Sequence, residues 1–169
     1  MLVSWPLPAR SFGQALVELV RRPDPRLKQS CREVNQRDLP ELRVFIDQML
    51  DIMYTYEGVG LAAPQVGWNI RVIVVDPSNG EDDKACRVMI NPSFESVSLE
   101  KEVCMEGCLS LPGEFYNVER STSILARWQD LDGASHESWL YAVEARIVLH
   151  ELDHLTGILI SDHGSKKRK

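Results

Sequence analysis

The stretch VEARIVLHELDHL, residues 143–155, constrains the chain more than any other. It is almost continuously apolar, too long for a typical strand, and meets no helix breaker before Gly157, so it reads as a buried helix ending at that glycine. Within it, HELDH (150–154) sets two histidines and two acids. With about 3.6 residues to a turn, His150 and His154 stand one above the other on one face, where both imidazoles can ligate one metal ion. Glu151 follows the first of them, and its carboxylate can take a proton from a metal-bound water, the general-base role of HExxH hydrolases. Burying these groups among Ile147, Val148, Leu149, Leu152 and Leu155 without a partner would cost several kcal/mol. The helix therefore argues for a metal site.

An open catalytic site needs a third protein ligand. Cys108, His136, His163 and nearby acids are the candidates. Cys108 is preferred because MEGCLSLPG (residues 105–113) places it after Gly107 and before Pro112 and Gly113, on what reads as a rigid turn. If Cys104 joined it, the site would close as a structural tetrahedron and Glu151 would have no task. The segment GVGLAAPQVG (58–67) supplies Gly58 and Gly60, which permit close backbone approach, and Gln65, an amide able to donate to a developing oxyanion. It lacks the spacing and the Lys-Ser/Thr ending of a phosphate loop.

The remaining pattern predicts an α+β fold of short, mostly antiparallel strands around the buried helix. Leu42, Phe45, Ile46, Met49, Leu50 and Met53 recur at helical spacing, so 40–56 is expected to be an N-terminal amphipathic helix. A β-branched strand is expected over 69–76, with shorter ones over 86–91, 95–99, 115–118, 123–129 and 135–141, the last two joined by an Asp132-Gly133 turn. At 169 residues with 44% hydrophobic residues, the chain suits one soluble domain. Residues 21–164 read as the catalytic unit. Residues 1–20 form an extension with helical spacing at Phe12, Leu16, Leu19 and Val20, and 165–169 form a loosely attached basic tail.

Charge is unevenly spread. Residues 1–37 hold seven Lys/Arg against three Asp/Glu and 166–169 are all basic, whereas 38–165 hold eight basic against 22 acidic residues. The candidate chemistry lies in the acidic middle, which argues against DNA as a partner. No apolar run approaches the roughly 18 residues that span a bilayer. Four cysteines are too sparse for a secreted disulfide scaffold and suggest a reducing compartment.

In this order, GVGLAAPQ (58–65), EGCLS (106–110) and HELDHLTG (150–157) closely resemble the three signature motifs of peptide deformylases. The resemblance implies a metal-dependent hydrolase that removes the formyl group from N-terminal formylmethionine of nascent polypeptides. Its setting would be the bacterial cytoplasm, with an organelle of bacterial descent as the lesser alternative. It implies Cys108, His150 and His154 as ligands of one divalent ion, Fe(II) expected, with Zn(II), Ni(II) or Co(II) as alternatives. Glu151 would be the base, Gln65 and the Leu109 N–H the oxyanion donors, and Gly58, Val59, Gly60 and Leu109 the walls that hold the peptide. Leu149 departs from the Gln common before the first histidine, without touching a ligand, so activity is expected to survive. The chain ends soon after Asp162, without the long C-terminal helix of some members. A transient ribosome contact through the basic tail is a hypothesis only. The rival readings are an HExxH peptidase and a metal-stabilised module that binds N-terminal peptides.

Overall fold

The structure is a computed structural model and describes residues 18–82, 85–164 and the backbone of 166–167. The expected helical turns at Phe12 and Leu16 lie outside the described residues; Leu19 and Val20 belong to no helix or strand, and Val20 is buried. The fold is α+β with antiparallel strands and few helices. Helix α1 spans Leu39–Thr55, with Pro40 in its first turn, and buries Leu42, Phe45, Ile46, Met49, Leu50 and Met53 along one stripe.

Strands β1 (Gly60–Ala62), β2 (Val72–Val75), β3 (Arg87–Val97), β6 (Ser123–Gln129) and β7 (Ser135–Tyr141) form a five-stranded sheet in the order β1-β2-β3-β6-β7. A smaller sheet has the order β4-β5-β8, from β4 (Lys101–Cys108), β5 (Leu111–Ser121) and β8 (Lys166–Lys167). The backbone of Lys166 and Lys167 pairs with Tyr116 and Phe115, so the start of the basic tail is tied down rather than loose.

Strand β2 is buried on both faces, which explains its unbroken β-branched run. Val72 and Val74 join the α1 stripe in one core, while Ile73 and Val75 join a second core against helix α2 (Ala142–Leu155). Each such side chain contributes roughly 1.5–3 kcal/mol on burial. α2 touches β1, β2, β6 and β7 of the large sheet and β5 of the small one, so it is wedged between the two. It ends at Gly157, whose φ of 76° suits glycine and whose absent Cβ would lie 2.7 Å from the Lys28 carbonyl carbon. Helix α3 (Ile160–His163) and Leu159 close a third core with Leu27, Leu111 and Val118.

Three segments differ from expectation. The glycine-rich stretch is regular, forming β1 and then a 3-10 turn over Ala63–Val66. The expected strands over 86–91 and 95–99 are one strand, β3, kinked by register shifts between Ile90 and Ser93 and between Phe94 and Ser96. Residues 101–108 are a full strand, and β5 starts at Leu111, runs through Pro112 and Gly113 and so extends the strand expected over 115–118 at both ends. Among the described residues no helix is long and apolar enough to cross a membrane.

Candidate metal centre

The β4–β5 hairpin sets where Cys108 lies. Cys108 is the last residue of β4, where the register shifts after Gly107, and Leu109 and Ser110 turn the chain into β5. This brings the thiol to the histidine face of α2. Cys108 Sγ lies 3.2 Å from His154 Nε2, and ligand atoms of Cys108, His150 and His154 all fall within 4.8 Å of one another. No other such group occurs among the described residues. Cys104 stays outside the cluster, and His136 and His163 pair instead with Asp130 and Asp153, each at 2.7 Å. All four cysteines are free thiols.

Behind this cluster is a buried charge network that the motifs did not reveal. Glu106 Oε2 faces His150 Nδ1 at 3.0 Å. The same carboxylate accepts from Arg120 Nε at 2.7 Å, Arg120 Nη2 at 2.9 Å and Arg146 Nη1 at 2.7 Å. Arg120 also donates to Asp153 Oδ2 at 2.9 Å. Burial alone would raise the Glu106 carboxyl, but the hydrogen bonds from His150 and Arg120 outweigh it and hold it at about 2. Glu106 stands two residues before Cys108, so its β4 position on the same side as the thiol was the available signal.

The two histidines differ. Burial pulls His154 well below its ordinary value, which favours the neutral imidazole that ligates metals. Burial acts the same way on His150, but contacts with Cys108 and Glu106 and the Glu151 charge carry it up to about 10. Burial pushes Glu151 up to about 7. Its Oε2 and the Nδ1 of His154 are buried without a hydrogen-bond partner.

Gln65 is oriented from behind. Its Oε1 accepts from the Ala62 N–H at 2.8 Å, leaving Nε2 aimed at Ser110 Oγ (3.2 Å) and Cys108 Sγ (3.6 Å). The cluster opens into a cleft of about 600 Å³ lined by Gly58, Val59, Gly60, Leu109, Phe115, Val143 and Ile147 among others. Glycine at 60 leaves room for the carboxylate, because a Cβ there would meet Glu151 Oε1 at 2.5 Å and Ile147 Cγ2 at 2.8 Å. Leu149 does not line this cleft; it faces a separate groove with Arg71, Phe94 and Leu152.

Known proteins resemble this chain along most of its length. The polypeptide deformylase family profile matches residues 16–169. Peptide deformylase of Novosphingobium aromaticivorans is 40% identical, with 92% of each chain aligned. The solved peptide deformylase of Thermotoga maritima is 39% identical, covers 90% of this chain and 99% of its own, and superposes with a TM-score of 0.82. A class I type b peptide deformylase from Acinetobacter baumannii, solved with Met-Ala-Ser bound, is 35% identical over 88% of this chain and 98% of its own, with a TM-score of 0.81. Agreement at this identity, over these lengths and on the same fold, has one consequence: the chain belongs to the peptide deformylase family.

Proposed function

We propose that the chain removes the formyl group from N-terminal formylmethionine of nascent polypeptides, releasing formate and a free amine. The observation that carries this reading is the convergence of Cys108, His150 and His154 beside Glu151 at the floor of a mostly apolar cleft. The donor set fits a divalent ion. One thiol and two imidazoles suit Fe(II), and also Zn(II), Ni(II) or Co(II), with a position left open. The unpartnered Oε2 of buried Glu151 fits as well, since such an atom is costly unless something polar reaches it. Bound there, the ion supplies an activated water and Lewis acidity toward the formyl carbonyl.

The chain's own residues do the rest. Glu151 accepts the proton of the attacking water at Oε2 and returns it to the leaving amine nitrogen. Gln65 Nε2, fixed by the Ala62 N–H, donates to the oxygen that gains negative charge, with the Leu109 N–H as second donor. Gly58, Val59 and Gly60 take the peptide as an added strand, a mode that gives affinity without demanding a sequence. Leu109, Phe115, Val143 and Ile147 surround the methionine side chain. The Met-Ala-Ser bound to the Acinetobacter baumannii protein has the chemistry of such a product.

Formate release tests the reading. Anaerobically purified, metal-loaded protein given formyl-Met-Ala-Ser should release formate and the free tripeptide. Cleavage of internal bonds in unformylated peptides without formate would replace it with a peptidase, and binding without reaction would replace it with a binding module.

A further inference from the structure

We infer that Tyr54 and Asp76 are positioning residues for the peptide-holding wall of the cleft, acting through a closed ring of hydrogen bonds that fixes Gly58 and Val59. The inference rests on the reading of that wall as the docking edge for substrate. Helix α1 leaves its last turn through Glu57 at φ 54°, a left-handed conformation disfavoured for a residue with a Cβ. The Glu57 N–H donates to Tyr54 O at 3.0 Å and the Gly58 N–H to Met53 O at 2.8 Å, the bond pair of a Schellman ending. A disfavoured backbone persists where its surroundings over-determine it, and here two further bonds do so. The Asp76 N–H donates to Val59 O at 2.9 Å. Tyr54 Oη, on the helix that launches the turn, donates to Asp76 Oδ2 at 2.7 Å.

The ring therefore runs Tyr54, Glu57, Gly58, Val59, Asp76 and back to Tyr54. Its anchor cannot rotate. The Asp76 carboxylate is 1% exposed and also accepts from the Gly80 N–H at 2.9 Å, the Ser78 N–H at 2.9 Å and Ser78 Oγ at 2.6 Å. On the far side, a Cβ at Gly58 would lie 3.0 Å from Leu109 Cδ1, so the wall is held between the ring and the hairpin that carries Cys108. Neither Tyr54 nor Asp76 lines the cleft. Loosening the ring should therefore weaken peptide binding and leave the chemical step intact.

Tyr54→Phe removes only the phenolic oxygen. In the metal-loaded enzyme, KM for formyl-Met-Ala-Ser should rise about fivefold, the factor expected for one lost hydrogen bond, while kcat and metal stoichiometry stay unchanged. Amide hydrogen exchange at Gly58 and Asp76, which needs no turnover, should quicken by a similar factor while β6 amides do not change. Asp76→Asn should move both readouts in the same direction. A lower Tm with unchanged KM and unchanged exchange would overturn the proposal and reduce the Tyr54–Asp76 bond to a staple between α1 and β2. If the wild type released no formate, the activity reading would fail, yet the exchange measurement would still decide whether the ring holds the wall.

Discussion

Glu106 Oε2 stands 3.0 Å from His150 Nδ1 and leaves that imidazole only Nε2 to offer the cleft. A carboxylate in this position fixes the ring's orientation and raises its basicity as a ligand. Glu106→Gln should weaken divalent-metal affinity by about 10- to 100-fold with the fold retained, read by competition against a chromogenic chelator. Glu106→Ala should behave differently. It takes from Arg120, whose side chain is 4% exposed, both bonds to Glu106 and leaves it only Asp153, and removing one partner of a buried pair costs about 3–5 kcal/mol, so a large drop in Tm should accompany the metal loss. Unchanged metal affinity in the Gln variant would separate Glu106 from the site.

Glu151 sits 3% exposed with an unpartnered oxygen, an expensive arrangement in a group with a merely structural role. As the proton acceptor it should be indispensable to turnover and dispensable to the metal. Glu151→Gln is expected to lower kcat by at least about 100-fold, with metal content by elemental analysis equal to wild type. Retained turnover would move the base elsewhere.

The contact between Gly60 and Glu151 gives a steric version of the same test. In Gly60→Ala the new methyl, 2.5 Å from Glu151 Oε1 and 2.8 Å from Ile147 Cγ2, must displace the carboxylate. A misplacement of about 1 Å can cost on the order of 100-fold in rate, so formate release should fall by about that factor while circular dichroism stays native. Gly58→Ala should be milder, because its new neighbours, the flexible tip of Leu109 at 3.0 Å and Met53 O at 3.3 Å, stand farther off.

Helices and paired strands were legible where one side of an element, or in β2 both sides, is apolar. α1, β2, α2 and the β6–β7 hairpin carry that signal in Leu42–Met53, Val72–Val75, Ile147–Leu155 and the alternation around Ile124, Ala126 and Trp128. Strand β4 inverts it. Val103 and Met105 are 58% and 61% exposed, while Glu106 on the opposite side is buried, so the pattern lacks an apolar face to announce a strand. The histidine pair was legible because i, i+4 spacing on a helix is local. The Glu106–Arg120–Asp153 network was not, because its members come from β4, β5 and α2 and meet only after the hairpin folds onto the helix.

The last prediction concerns acid stability, far from the cleft. Asp38, immediately before α1, accepts from Arg32 Nη2 at 2.7 Å, Arg32 Nη1 at 2.8 Å and the Asn35 N–H at 2.8 Å. The Arg32 hydrogen bonds, working against burial, bring its carboxyl down to about 2, whereas an unfolded aspartate titrates near about 3.9. A carboxyl depressed in the folded state binds fewer protons there than in the unfolded chain. Its stabilisation is therefore complete above the unfolded value and drains away as pH falls through that window. Arg32 also bridges to Ile70, so the pair ties the entry of α1 to the segment leading into β2. Asp38→Asn should lower Tm at pH 7 by a few degrees, at roughly 2–4 °C per kcal/mol for a chain of this size. In thermal melts followed by circular dichroism, the gap between variant and wild type should close as pH is lowered from about 4 toward about 2. A gap that stayed constant across that window would mean that shape rather than charge accounts for what Asp38 contributes.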